Sequence, residues 1–158
     1  MKRTLTCAAV VFLSVTGLSA ENNPMIGNWK MNLAKSKFTP GPAPKSQSST
    51  IEAAGDGIKN VTKGIAADGS IIDYGYTASS LDGKEYPLKG PGAPSGGDTI
   101  SVTRVDAYTF ESTIKKAGKV VQTNRVVYSK DGKLRTITAK GTGKNGQPTS
   151  LTTVWDRQ

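Results

Sequence analysis

Residues 53–84 read AAGDGIKNVTKGIAADGSIIDYGYTASSLDGK, a stretch in which Asp-Gly pairs alternate with runs of strand-forming residues. The whole chain has five pairs of this kind: Asp56-Gly57, Asp68-Gly69, Asp82-Gly83, Asp131-Gly132 and Asn145-Gly146. Type I′ hairpin turns need positive φ at both central residues, which Asn, Asp and Gly tolerate. The spacing therefore predicts consecutive antiparallel strands joined by tight turns.

Ten strands fit between these turn signals and the ends of the chain. The first is expected within 24–33, and the other nine at about 47–53, 58–65, 70–79, 84–89, 99–105, 108–115, 119–129, 133–141 and 149–157. Short strands with regular turn signals indicate a sandwich or a barrel, and successive hairpins favour a meander closed on itself. The predicted fold class is all-β, an antiparallel up-and-down β-barrel of eight to ten strands. An open or sandwich-like arrangement is the alternative.

Two segments interrupt the pattern. Residues 32–38 are expected to form a helical turn, and 34–46 to form a crossing loop, because its three closely spaced prolines lack the donor that a strand ladder needs. The Gly- and Pro-rich run 90–97 predicts a wide loop at a barrel mouth or a gap between strands.

The first twenty residues have the pattern of a secretory signal peptide. Lys2 and Arg3 supply the positive start, an apolar stretch follows, and small residues end at Ala20. We expect cleavage after Ala20, with cleavage after Ser19 or a retained anchor as alternatives. The apolar run is shorter than the roughly 20 residues that span a bilayer. The expected organisation is a signal peptide at 1–20 and one β-barrel domain at 21–158, periplasmic or secreted.

The composition argues against several kinds of functional site, namely disulfides, thiol nucleophiles and transition-metal sites. The chain has no histidine, and Cys7, its one cysteine, lies within the expected signal peptide. The mature chain therefore has no disulfide and no thiol nucleophile, and it lacks the ligands that transition metals prefer. We expect no metal and no cofactor.

The charge is strongly positive. The chain has 21 basic and 12 acidic residues, and loss of Lys2 and Arg3 with the signal peptide leaves an excess of seven positive charges. Lysines that sit singly beside turns are typical of protected strand edges. The same charge can also attract an anionic envelope component. We expect no nucleic-acid partner.

Strand parity gives candidate interior residues. One face of 70–79 carries Tyr74 and Tyr76, and one face of 108–115 carries Phe110 and Ile114. Strand 119–129 has polar residues on both faces, Arg125 among them. Either it lies in a barrel that keeps polar groups inside for a ligand, or it is an edge or bulged strand with both faces wet. We expect these five residues to bind a ligand, with Arg125 as the anchor for an anionic group.

The segment Gly27-Asn28-Trp29 resembles the Gly-x-Trp signature of the lipocalin and calycin group, and residues 27–38 resemble bacterial exported lipocalin-like proteins of unassigned function. The resemblance implies a barrel with a cavity for an apolar ligand, and no catalytic residues. It also implies that Trp29 plugs the closed end and that an arginine of the last strand, here Arg157, stacks on it. Gly27, Trp29 and Arg157 are thus the expected barrel-closing residues.

The chain departs from a second member of that group, the fatty-acid-binding proteins. Their ten strands match the number expected here. Their helical lid has no room between Phe38 and Ser48, and the Arg-x-Tyr carboxylate clamp of their final strand is missing from 151–157.

Catalysis finds little support in the sequence. Without histidine a hydrolytic triad would need a lysine base, and no Ser-x-x-Lys motif in a helical context is present. We expect a monomeric, non-enzymatic exported binding protein that holds a small apolar or amphipathic molecule. The alternative is a solid barrel that docks an anionic envelope component through its basic turns. A scaffold or inhibitor acting through 34–46 is a third hypothesis. The basic turns are Lys115-Lys116, Lys119, Lys130, Lys133 and Lys144.

Overall fold

Ten antiparallel strands follow one another along the chain in a computed structural model, which describes residues 23–143 and 145–158. The expected signal peptide and Lys144 lie outside the described residues. The strands are β1 (Gly27–Thr39), β2 (Ser46–Ala54), β3 (Gly57–Ile65), β4 (Ile71–Ala78), β5 (Asp82–Pro87), β6 (Thr99–Arg104), β7 (Thr109–Lys116), β8 (Lys119–Tyr128), β9 (Leu134–Thr142) and β10 (Pro148–Arg157). In this part of the chain no helix is long and apolar enough to cross a membrane.

The strands form one sheet that curls into a nearly closed barrel. Sequence neighbours pair in order, β1 also pairs with β10, and the sheet therefore runs β4-β3-β2-β1-β10-β9-β8-β7-β6-β5. This confirms the predicted all-β up-and-down barrel, with ten strands.

The barrel closes between β4 and β5 without a strand ladder. Gly75 N donates to Lys89 O at 2.8 Å and Lys89 N to Gly75 O at 3.0 Å, so the segment after β5 supplies the bridge. The β4–β5 turn is held by a side chain, because the Tyr86 hydroxyl lies 2.9 Å from Ser80 Oγ. The hairpin expected at Asp82-Gly83 is therefore wrong as a paired hairpin, although it does reverse the chain.

The turns differ in type from the expectation. Glycine has positive φ at Gly69, Gly83, Gly132 and Gly146, but no Asp or Asn does among the described residues. Gly69, Gly132 and Gly146 lie in loops longer than two residues, where a glycine with positive φ commonly follows a type I turn, and Gly83 lies at the start of β5. Positive φ at both central residues occurs at Ala117-Gly118, between β7 and β8.

Strand β1 is longer than predicted, and the helical turn expected at 32–38 is wrong. A bulge separates the pair Asn32–Val154 from the pair Lys37–Thr152. Ser36 Oγ fills the gap in the ladder, because it accepts from Val154 N at 3.0 Å and donates to Asn32 O at 2.7 Å. The loop before β2 is correspondingly short, at residues 40–45.

One end of the barrel is plugged by aromatic rings. Trp29 and Tyr128 pack edge to face with centroids 5.3 Å apart, and Phe110 meets Tyr128 in the same way at 5.8 Å. Residues 23–26 cross this end, where Trp29 Nε1 donates to Met25 O at 3.0 Å. We call this the closed end. The opposite end, formed by loops 40–45, 66–70, 88–98, 117–118 and 143–147, is the open end.

The structure brings together the three residues expected to close the barrel. The guanidinium carbon of Arg157 lies 4.4 Å from the ring centroid of Trp29, and its nitrogens donate to Ile26 O, Gly132 O and, at 3.0 Å, Pro24 O. Gly27 has φ +138°, and a Cβ there would overlap the Arg157 guanidinium. The backbone conformation at this position therefore favours glycine, and any larger residue would also displace the guanidinium of Arg157.

Candidate ligand-binding cavity

The barrel encloses a cavity of about 670 Å³ between the aromatic plug and the open end. Side chains of every strand except β5 line it, and residues of the loops at the open end form its rim. This volume lies within the range of roughly 300–1,000 Å³ that small-molecule sites occupy. The barrel is therefore not filled by its own side chains.

Among the described residues, Arg135 of β9 is the charged side chain that is buried in the cavity lining, and it is 4% exposed. In the sheet it pairs directly with Trp155 of β10 and with Tyr128 of β8. Its guanidinium carbon lies 4.3 Å from the ring centroid of Trp155 and 5.3 Å from that of Trp29. Two indole rings thus hold a cation at the floor of the cavity.

The guanidinium of Arg135 is only partly satisfied. Nη1 lies 3.5 Å from Ser49 Oγ, which is long for a hydrogen bond, and the Tyr128 hydroxyl is a further partner. Nε is buried and has no hydrogen-bond partner. At least one donor of a group that carries five is therefore free.

No carboxylate balances this charge within 23–143 and 145–158. The four ion pairs found there are Lys63–Asp73, Lys84–Asp82, Lys115–Glu85 and Arg125–Glu111, and none of them includes Arg135. Burial lowers the pKa of Arg135, but an arginine remains protonated at any physiological pH. A buried cation without a counter-ion costs several kcal/mol, on the order of the cost of desolvating one ion.

The tyrosines beside Arg135 do not supply the missing negative charge. Burial raises the pKa values of Tyr74, Tyr76 and Tyr128 above 10.0, the ordinary value. All three hydroxyls are therefore neutral at physiological pH. They can form hydrogen bonds with a ligand, and because they carry no negative charge they do not neutralise the guanidinium of Arg135.

Amides and hydroxyls make up most of the remaining polar lining. Gln122 Nε2 donates to Asn124 Oδ1 at 2.7 Å, and Asn124 Nδ2 donates to Ser112 Oγ at 2.8 Å. On the other side of the cavity, Ser49 Oγ donates to Asn60 Oδ1 at 2.8 Å. Of the two interpretations of strand 119–129, the structure shows the one with polar groups inside the barrel.

Three of the five expected ligand-binding residues line the cavity, namely Tyr74, Tyr76 and Ile114. Phe110 is fully buried in the aromatic plug and does not line the cavity. Arg125 lies on the outer face, where its Nη1 is 2.7 Å from Glu111 Oε1, so the expectation that it faces the interior is wrong. The inward-facing residues of β8 have the opposite strand parity and are Gln122, Asn124, Val126 and Tyr128.

Sequence reasoning missed Arg135. It shares strand parity with Ile137 and Ala139, and all three point into the barrel. An arginine in phase with apolar neighbours on a strand is the signal that could have revealed it. In the described part of the chain, no cluster of three or more His, Cys, Asp or Glu side chains could hold a metal ion.

Solved structures show which known fold this barrel resembles. No protein-family model and no curated protein matches the chain. Zebrafish ileal bile acid-binding protein, crystallised with cholic acid, is 12% identical, with a TM-score of 0.52 over 85% of this chain and 99% of that one.

Two further structures are similar at lower TM-scores. Lobster apocrustacyanin A1 is 14% identical, with a TM-score of 0.44 over 87% of this chain and 63% of that one. A Mycobacterium tuberculosis protein is 15% identical, with a TM-score of 0.47 over 85% of this chain and 93% of that one. With its ten-stranded, nearly closed antiparallel barrel, the chain has the calycin fold of the lipocalins and fatty-acid-binding proteins.

Proposed function

We propose that the chain is an exported, monomeric binding protein that holds one small amphipathic molecule in its barrel. The apolar body of the ligand lies against the walls below the open end, and its anionic head lies at Arg135. The observation that carries this proposal is Arg135 itself, a buried cation that faces a cavity of about 670 Å³ and has no ion-pair partner among the described residues.

An anionic head group would satisfy what the protein leaves unsatisfied. A carboxylate accepts two parallel hydrogen bonds from a guanidinium, and hydrogen bonds to charged groups contribute about 1.5–3 kcal/mol each. The head would also remove the cost of an uncompensated buried charge. The hydroxyls of Tyr76 and Tyr128, both neutral, lie on the cavity wall as further donors.

Apolar side chains on the cavity walls suit an apolar body. Ile72, Ile114, Val126, Ile137 and Leu151 line them. Burial of apolar ligand surface against such walls stabilises the complex by roughly 25 cal/mol per Å². The cation near the closed end and the apolar side chains between it and the open end favour a ligand that enters with its head first.

The zebrafish protein of similar fold is described with cholic acid, which is itself an amphipathic carboxylic acid. At 12% identity this likeness concerns the fold, and the ligand class for this chain is inferred from Arg135. Binding rather than catalysis is proposed, because the chain has no histidine to act as a general base and the interior tyrosines are protonated near neutral pH. Export to the periplasm or medium is proposed from residues 1–20.

A matched pair of ligands tests the proposal. Dodecanoate and dodecanol have the same chain and differ in the charge of the head, so each is titrated as a competitor of a dansyl-labelled fatty acid. Dodecanoate is expected to bind more tightly. Arg135→Met should weaken dodecanoate at least about tenfold, the equivalent of one charge-assisted hydrogen bond, and leave dodecanol nearly unchanged.

The outer-face arginine supplies the control, because Arg125→Met removes a guanidinium that lies outside the cavity. It should change neither affinity. Equal loss of both ligands in Arg135→Met would mean that Arg135 shapes the cavity without contacting the head. The proposal of a cavity binder is wrong if the protein does not bind the dansyl-labelled probe and native mass spectrometry of the protein purified from its host's envelope finds no bound molecule.

A further inference from the structure

The outer surface of the barrel carries unequal charge at its two ends. Within three strand residues of the open-end loops, the described chain has eight lysines and four acidic residues. The closed end, counted in the same way, has seven basic residues, one of which is the buried Arg135, and seven acidic residues. The positive excess of the protein is therefore concentrated around the mouth of the cavity.

Most of the open-end lysines are free of ion pairs. Lys63 pairs with Asp73 at 3.8 Å, and Lys115 pairs with Glu85. The other six take part in none of the ion pairs found among the described residues. They are Lys37, Lys45, Lys89, Lys116, Lys119 and Lys140.

Exposed aliphatic side chains lie among these lysines. Ile65 and Ile71 are direct cross-strand partners at the tip of the β3–β4 hairpin and are 44% and 68% exposed. Lys45 N donates to Ile65 O at 2.8 Å, so a lysine adjoins the pair. Val120, which is 56% exposed, follows Lys119 at the tip of the β7–β8 hairpin. Isolated exposed apolar residues are ordinary, but here they lie at two hairpin tips on the same rim.

We infer that the open end docks on an anionic lipid bilayer, with the mouth of the cavity facing the membrane. Lysines near an anionic membrane surface each strengthen binding roughly fivefold, and aliphatic side chains that reach the acyl boundary add to this. An anionic polysaccharide or nucleic acid would attract the same lysines but would gain nothing from Ile65, Ile71 and Val120. The combination therefore favours lipid.

If the chain holds an amphipathic ligand, as proposed above, this orientation gives the ligand a direct route into the cavity. An amphipathic ligand could pass between the bilayer and the cavity without its apolar body crossing water. The docking surface itself is independent of ligand identity, because none of its lysines or aliphatic side chains is needed to hold the head at Arg135.

Sedimentation with lipid vesicles tests the inference. The chain from Glu21 onward is used, since it contains all ten strands and lacks the apolar leader, which would itself enter a bilayer. It should bind vesicles that contain phosphatidylglycerol and not vesicles of phosphatidylcholine alone. Binding should weaken when salt is raised from about 0.1 M to about 1 M, where the Debye length falls from about 10 Å to about 3 Å.

Charge reversal at the two ends separates docking from net charge. The open-end variant Lys45→Glu/Lys116→Glu/Lys119→Glu should lose about 100-fold or more in vesicle affinity. The matched closed-end variant Lys59→Glu/Lys130→Glu/Lys133→Glu has the same net charge and should retain most of the affinity. Equal losses in the two variants, or no vesicle binding by the unaltered chain, would overturn the inference.

The isoleucine pair separates lipid from polymer. Ile65→Ser/Ile71→Ser should weaken vesicle binding several-fold and leave binding to heparin, an anionic polymer, unchanged. Both side chains are largely exposed, so the variant should keep the far-ultraviolet circular dichroism of the barrel. Vesicle affinity equal to that of the unaltered chain would show that the surface recognises charge alone, and the assignment to lipid would then be wrong.

Discussion

Arg135 and Trp155 are direct cross-strand partners on β9 and β10, and the guanidinium carbon of the one lies 4.3 Å from the indole centroid of the other. Trp29 lies against the same guanidinium at 5.3 Å. Cation–π contacts of this kind contribute up to about 2 kcal/mol each when desolvated. They keep the side chain in place but provide no opposite charge.

Replacement of Arg135 by methionine should leave the empty protein equally stable or stabilise it by up to about 4 kcal/mol. An apolar side chain of similar length avoids the desolvation cost of the unpaired cation, which exceeds the gain from the two ring contacts. Urea unfolding of the ligand-free protein measures this change in the free energy of unfolding. Arg125→Met is the control, because Arg125 lies in an exposed ion pair, and its free energy of unfolding should stay within about 1 kcal/mol of that of the unaltered protein. A marked loss of stability in Arg135→Met would show that the arginine is primarily structural.

Phe110 and Ile137 should respond differently to truncation, although both belong to the interior. Phe110 is fully buried in the plug, so Phe110→Ala should lower the free energy of unfolding by about 3–5 kcal/mol. Ile137 is only partly buried and lines the cavity, so Ile137→Ala should cost less stability and weaken ligand binding instead. Urea unfolding and probe titration on both variants measure the two effects. A larger stability loss at Ile137 would contradict the assigned positions.

The sequence contained enough information for the strands and for parts of the interior. Asp-Gly and Asn-Gly pairs mark chain reversals whatever turn type results, and clean alternation placed Tyr74, Tyr76 and Ile114 on the inner wall. Strand β8 was ambiguous, because each of its faces mixes polar and apolar residues. Its inner face is set by pairing with β7 and β9, across a bulge between Ile114 and Lys115, and such pairing is not visible in one strand alone.

Contacts between strands that are distant in sequence also explain the other differences between the predicted and the observed fold. The continuation of β1 through its bulge depends on Ser36, whose hydroxyl replaces a backbone partner supplied by β10. Closure between β4 and β5 depends on Gly75 meeting Lys89, two residues that are distant from the predicted turn. Local pattern predicts strands, whereas bulges and gaps arise from contacts between strands far apart in sequence.

Gly27→Ala should destabilise the protein more than Gly41→Ala does. Both glycines have positive φ, +138° and +126°, so both variants bear backbone strain of about 1–3 kcal/mol. A Cβ at Gly41 has nothing within 4 Å, whereas one at Gly27 overlaps the guanidinium of Arg157. The difference between the two variants in urea unfolding therefore measures the clash, and Arg157→Ala should remove that difference. Equal costs for the two alanines would mean that Arg157 moves aside freely.

Stability should fall steeply above about pH 10. Burial raises the pKa values of Tyr74, Tyr76 and Tyr128 in the folded protein, whereas unfolded tyrosine ionises near 10. Above that pH the unfolded chain binds fewer protons than the folded one, so the free energy of unfolding decreases as pH rises; below it this contribution is fully present. Each further unit of pH between the unfolded and the folded pKa removes about 1.4 kcal/mol per tyrosine.

The ultraviolet absorbance of tyrosinate distinguishes the groups directly. Hydrogen bonds from Ser79 and Ser80 lower the pKa of Tyr86, so this partly exposed ring outside the cavity should titrate reversibly while the barrel is intact. The rings of Tyr74, Tyr76 and Tyr128 inside the barrel should ionise only together with loss of the near-ultraviolet circular dichroism that reports packing. Tyr74→Phe/Tyr76→Phe should move the alkaline unfolding midpoint to higher pH, because two of the three ionisations that drive unfolding are then absent. If Tyr74, Tyr76 and Tyr128 instead ionised near pH 10 with the barrel intact, the cavity floor would be open to water, and the guanidinium of Arg135 would be hydrated and would not need an anionic head group.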